Sequence, residues 1–162
     1  MDNLYKTDYT RWLGQQRELL ENRQFDKLDI DNLLEAMDSE MGDTSNELRS
    51  HLRILLIHLL KYDYQKRVLK DPWVEDKVIY TWIPSINNPR GEIKEHLKRN
   101  PSLDPMTDEI LSEAYYSAKP RATLELNKHI RIKEKRLNKN SFPEQCPWSF
   151  EQVTDDDWLP GD

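Results

Sequence analysis

From Leu48 to Leu60, apolar residues fall on nearly every side of a helix. Leu48, Leu52, Leu55, Leu56, Leu59 and Leu60 recur at helical spacing, Ile54 and Ile57 lie between them, and only His58 interrupts the run from Ile54 onward. A helix with so wide an apolar surface needs neighbours on several sides, which places it in the middle of a helical bundle. Ahead of it, Thr44-Ser45-Asn46-Glu47 has the form of a capping box, with Thr44 bonding forward and Glu47 back. The spacing predicts a helix from Thr44 to about Arg67.

The other elements follow from the same periodicity. Thr7 or Asp8 can cap a first helix carrying Trp12, Leu13, Gln16, Leu19 and Leu20. Asp29 can cap a second, with Ile30, Leu33, Leu34 and Met37 as its stripe, and Gly42 marks its end. Residues 68–88 read as an irregular loop or arm: Trp73, Val74, Val78, Ile79, Tyr80 and Trp82 have strand-like chemistry, and Pro72, Pro84 and Pro89 interrupt any long helix. A helix resumes by Arg90 with Ile93 and Leu97 inward, and Pro101-Ser102-Leu103 breaks it. Asp104-Pro105 then starts another, with Ile110, Leu111, Ala114, Tyr115, Ala118, Ala122 and Leu126 on one stripe. The alanines let a neighbouring helix approach closely, and Pro120 should kink or split this helix. Residues 140–162 read as an extended strap anchored by aromatic side chains such as Phe142, Trp148 and Trp158. The predicted fold is all-α: one domain over 1–162, a bundle of five or six helices with a C-terminal strap.

Composition bounds the function. The net charge is −6, so the chain lacks the basic surface of a general nucleic-acid binder. Cys146 is the only cysteine, which excludes an intrachain disulfide and a cysteine metal cluster. The N-terminus has no basic flank and apolar stretch of a signal peptide, and the run from Ile54 to Leu60 is too short to cross a bilayer. A reducing, cytoplasmic compartment is the simplest expectation. No phosphate loop, dinucleotide fingerprint or serine nucleophile elbow is present, and no cofactor is expected.

Several residues carry candidate chemistry. His51, His58 and Gln65 are seven apart and share one face, beside the leucine row Leu48, Leu55 and Tyr62. Partly buried polar groups need partners, and Asn32 and Glu35 on the preceding helix are candidates to complete a polar core network. A His58–Glu35 pair could transfer protons; the plainer reading is a structural network that fixes helix register. His51, His58 and Glu35 could also hold a divalent ion, although ligands two turns apart, roughly 10 Å by helical rise, are poorly spaced for one metal. Arg53 and His58 match the Arg-x4-6-His pattern of the HEPN ribonucleases, in which histidine works as acid or base and arginine stabilises a phosphorane. Against this, Ile54 follows Arg53 where that superfamily commonly has a polar residue, and so short a pattern arises easily by chance. Lys128, Arg131, Lys133, Lys135 and Arg136 could contact RNA or an acidic partner, but such a run is more often a solvated helix face. Cys146 reads as a small buried hydrophobe rather than a nucleophile.

Taken in order, Asp8-Tyr9-x-x-Trp12-Leu13, Leu28-Asp29-x-x-Asn32-Leu33-x-Glu35 and Leu55-Leu56-x-His58-Leu59-Leu60-Lys61-Tyr62 form a pattern. Trp82, Ile86, Arg90, Ile93, Leu97, Pro101-Ser102-Leu103, Ala114-Tyr115-x-x-Ala118, Phe142-Pro143-Glu144-x-Cys146-Pro147 and Leu159-Pro160 continue it. This succession resembles the family catalogued as domain of unknown function 29, over nearly the whole chain. The resemblance implies an α-helical bundle from a family abundant in cyanobacteria; it implies no catalytic residues. The chain departs from the pattern in an extension over Val68 to Thr81, in Pro84 and Pro89, and in Ala36 where a second acid is common.

These observations favour a non-catalytic protein-interaction or regulatory domain, of the kind found in toxin–antitoxin modules, whose partner is a protein, itself or another chain. A metal-independent ribonuclease using Arg53 and His58 is the alternative, and a metal-dependent enzyme or sensor using His58, His51 and Glu35 the second. The first predicts an exposed apolar patch or a stable oligomer.

Overall fold

The computed structural model describes residues 3–70 and 81–161. Among them are six α-helices and no strand: α1 (Leu4–Thr7), α2 (Tyr9–Glu21), α3 (Ile30–Tyr64), α4 (Ile83–Arg99), α5 (Thr107–Asn127) and α6 (Phe150–Thr154). The chain is all-α, as the apolar periodicity requires. Trp73 and the strand-like residues Val74, Val78, Ile79 and Tyr80 lie outside the described residues. The chain divides into two compact units, Met1–Asp43 and Thr44–Asp162, with α3 running from one into the other.

The continuity of α3 corrects the prediction of two helices. Neither the stop at Gly42 nor the cap at Thr44 is used; 35 residues form one helix. A glycine inside a helix costs only about 1 kcal/mol relative to alanine, too little to break a helix supported on either side. A second correction falls on residues 83–88, which are helical rather than irregular. Pro84 sits in the first turn of α4, where its missing N–H is not needed. Pro89 lies inside α4 and is buried close to the fully buried Ile86, so packing outweighs one lost backbone bond. Pro120 likewise does not split α5.

The core of the second unit forms where the leucine-rich part of α3 meets the inward faces of α4 and α5. Leu48, Leu52, Leu55, Leu56 and Leu59 are fully buried, as are Ile86, Ile93, Ala114, Tyr115, Ala118 and Ala122. The C-terminal strap closes this core with Phe142 and Val153, and Trp148, Trp158 and Leu159 pack against it. The strap runs through turns and bends except for α6, whose start is a capping box between Ser149 and Gln152. Three backbone carbonyls of the strap, those of Val153, Asp156 and Trp158, accept hydrogen bonds from Arg90, a guanidinium only 1% exposed. Residues Arg131 to Arg136 are exposed around a short 3-10 turn at Lys133–Lys135, so the basic segment is not the helix face expected of it. Its ends are tied down by Ile130 and Leu137, and Asn127 bonds the backbone of Leu137 in both directions.

The first unit is built differently. Trp12 donates to the Asp29 carboxylate at 3.0 Å, and the side chain of Gln16 accepts from the Asp29 N–H at 2.8 Å. Asn32 donates to the same carboxylate at 2.7 Å. Trp12 and Gln16 are the buried residues of α2. The first unit is therefore centred on a polar clasp rather than on an apolar core.

Candidate functional site

The predicted polar row on α3 meets three different surroundings. His51 lies 3.7 Å from the Glu47 carboxylate, one turn back on the same helix. The same carboxylate is 3.5 Å from Nδ1 of His96 on α4, whose Nε2 lies 2.7 Å from the Thr44 carbonyl oxygen. His58 is half-buried near Lys61 and Glu125. Gln65 lines a cavity of about 430 Å³ together with Lys61, Trp82, Glu125 and His129, and its Oε1 is buried without a hydrogen-bond partner. Lys61 and Glu125 pair at 2.9 Å, and Arg121 holds the other oxygen of Glu125 at 2.8 Å.

Asn32 and Glu35 belong to the first unit. Asn32 serves the Asp29 clasp, and Glu35 is exposed beside Tyr5, whose hydroxyl is held above its ordinary value by burial and then by that carboxylate. Glu35 and His58 stand on one helix, about six turns apart, not on two helices packed face to face. Among the described residues no group of three or more His, Cys, Asp and Glu side chains is placed to hold a metal ion, so His51, His58 and Glu35 do not converge on one point. Arg53 and His58 are five positions apart on α3, a turn of about 140°, so the helix directs them to different sides. Arg53 is half-buried, with its Nε lacking a partner. Cys146 is half-buried with its thiol 3.4 Å from the Trp148 carbonyl, and burial pushes its pKa up, the opposite of an activated nucleophile.

Two buried polar residues went unassigned in the sequence reading. Arg90 and His96 share the inward face of α4 with Ile86 and Ile93. Their spacing carried the signal, but a periodicity that counts only apolar residues passes over them.

The titration of His58 has a testable consequence. Burial, and then the charge of Lys61, lower its pKa below the ordinary value, against the pull of Glu125. The unfolded chain therefore takes up the proton more readily than the folded one. The stability this gives is fully present above the unfolded value of about 6.5 and is lost as pH falls through the window below it. Urea midpoints of the wild type should decline as pH falls below about 6.5, and His58→Gln should flatten that decline. Parallel curves for the two proteins would show that the imidazole titrates in the folded chain as it does in the unfolded one.

The least ordinary surface is in the first unit. Tyr9, Leu13 and Leu20 on α2, Phe25 in the turn, and Ile30, Leu34, Met37 and Met41 on α3 are all exposed, Met41 by 69%. Every residue from Met37 to Asp43 is exposed, so this stretch of α3 is helical without burying any side of itself. Of the predicted stripe of Ile30, Leu33, Leu34 and Met37, only Leu33 is partly covered. Isolated helices gain little from propensity and depend on packing of an apolar face. An apolar face left open on such a helix is therefore the strongest candidate for a functional surface.

No helix among the described residues is long and apolar enough to cross a membrane. No curated protein and no solved structure matches the chain. The family model described as Domain of unknown function DUF29 matches residues 4–159, which carry the Trp12, Leu55–Tyr62 and Phe142–Pro147 patterns. The chain belongs to the DUF29 family.

Proposed function

We propose that this chain is a non-catalytic protein-interaction domain whose docking surface is the apolar face of its first unit. One observation carries the reading. Of fourteen large apolar side chains that are exposed among the described residues, eight fall between Tyr9 and Met41. Single exposed apolar residues are ordinary, but a contiguous set marks an interaction site. The surrounding charge supports a protein rather than a bilayer as the partner. Residues 29–47 hold seven Asp and Glu and no Lys or Arg, whereas helices that lie on membranes carry basic polar faces.

A photo-crosslinking amino acid in place of Met37, in the full chain inside cells, tests this reading. A discrete adduct with a protein is expected there and not from the same group at Lys98. Absence of any adduct from positions 34, 37 and 41 alike would remove the proposed function.

A further inference from the structure

Where the later turns of α5 meet the segment entering the C-terminal strap, the surface forms a cleft of about 450 Å³. Small-molecule sites fall in the range of roughly 300–1,000 Å³. Pro120, Thr123, Leu124 and Asn127 line the cleft from α5, and Lys139 and Phe142 from the segment entering the strap. Phe142 is buried, with its ring edge-on to Tyr64 of α3 at 6.0 Å, so it presents a fixed apolar surface. Leu124 and Pro120 remain exposed. Pro120 costs α5 a backbone hydrogen bond without gaining burial, and its rigid ring adds to the apolar wall.

The polar groups of the lining differ in what they have left to offer. Asn127 is committed: its amide donates to the Leu137 carbonyl at 2.9 Å, and its side-chain oxygen accepts from the Leu137 N–H at 2.8 Å. Lys119, the remaining lining residue, donates to the Pro143 and Glu144 carbonyls at 3.3 and 3.1 Å and lies over the rings of Tyr115 and Tyr116. Those partners are neutral, so they hold the ammonium in place without cancelling its charge. Lys139 and Thr123 carry no hydrogen bond or ion pair among the described residues. No carboxylate among the described residues lines the cleft. The chain as a whole has a net charge of −6, yet residues 128–139 hold six Lys and Arg against one Glu. An apolar cleft with two cations in its lining and no counter-charge attracts an anion.

We propose that this cleft binds a small organic acid, a single carboxylate on a compact apolar body of the aryl or medium-chain acyl type. The body lies against Pro120, Leu124 and Phe142, and the carboxylate accepts hydrogen bonds from Lys139 and Thr123. One uncommitted cation and one uncommitted hydroxyl match one anionic end; further polar groups on a ligand would be buried without partners. From Pro120 to Asn127 the cleft follows two turns of α5, about 10 Å, which suits a small body better than an extended chain. A bound acid joins α5 to the segment entering the strap. The site belongs to the second unit and does not depend on the apolar face of the first.

An amide-resolved NMR titration of the full chain with octanoate and with 1-naphthoate tests this. Both acids should move the amides of Thr123, Leu124 and Lys139, with dissociation constants below about 1 mM. 1-Octanol, which has the body without the charge, should bind about tenfold more weakly or worse, and octanoate should lose a similar factor on Lys139→Glu. Leu124→Asp should abolish binding with helical circular dichroism retained, since Leu124 is half exposed. Equal affinities for octanol and octanoate, or for wild type and Lys139→Glu, would overturn the anionic end. Amides unmoved by either acid, or moved only in the first unit, would overturn the site. A Glu/Leu peptide that moves these amides where both acids fail would replace the small acid with an acidic peptide. Shifts that grow with protein concentration alone would replace it with a second copy of the chain.

Discussion

Arg90→Ala is expected to destabilise the second unit by about 3–5 kcal/mol and to free the C-terminal strap. The guanidinium donates from Nε to the Val153 carbonyl at 2.8 Å and from Nη2 to that of Trp158 at 2.7 Å, with a longer contact to Asp156 at 3.4 Å. Each hydrogen bond from a charged donor contributes about 1.5–3 kcal/mol, and its loss leaves a carbonyl without a partner. Burial lowers the pKa of Arg90, with Asp156, Asp155 and Asp157 opposing the shift, yet a guanidinium stays charged across the working pH range. Removing the side chain thus removes a cation together with three hydrogen bonds to the end of the strap. Arg90→Lys should recover little of the loss, because an ammonium on a flexible stem does not reproduce a planar fork that reaches several carbonyls at once. Urea unfolding gives the magnitude, and limited proteolysis beyond Ser149 shows whether the strap has loosened. A loss below about 1 kcal/mol with the strap still protected would contradict the role assigned to Arg90.

Tyr115 gives the second large effect and separates packing from hydrogen bonding. Its ring is fully buried, and its hydroxyl donates to the Pro143 carbonyl at 2.7 Å. Lys119 lies 5.3 Å from the ring centroid and donates to the same carbonyl at 3.3 Å. Burial holds the phenol far above its ordinary pKa, so it remains a donor in mildly alkaline buffers. Tyr115→Phe should cost about 1 kcal/mol, since the carbonyl keeps its contact with Lys119. Tyr115→Ala should cost about 3–5 kcal/mol through the cavity it leaves beside Ala114 and Ala118. Equal losses from the two substitutions in chemical denaturation would mean that the hydroxyl, not the ring, anchors the strap.

Leu48 to Leu60 carry enough periodic apolar surface to place a helix at the centre of a bundle in any arrangement. Ala114, Ala118 and Ala122, four apart and fully buried, likewise mark a close helix contact from spacing alone. The strap is legible in Phe142, Trp148 and Trp158, whose apolar bodies need a surface to cover. These features belong to local patterns of residue type, and hydrophobic burial acts on such patterns wherever the partner lies.

Other features depend on partners far away in the chain. Gly42 looks like a helix end because local propensity is all that a single sequence displays, and that preference is about 1 kcal/mol. Arg90 has no visible role until carbonyls 63 to 68 positions later are brought to it. His51 and His58 share a row, yet one faces Glu47 and the other lies near Lys61 and Glu125, because neighbouring helices supply different groups along the row. The stripe of Ile30, Leu34 and Met37 has the same periodicity whether its own chain covers it or a partner does. Periodicity records that a face is apolar; only the packed fold shows that this one is left open, because exposure depends on what the rest of the chain brings near.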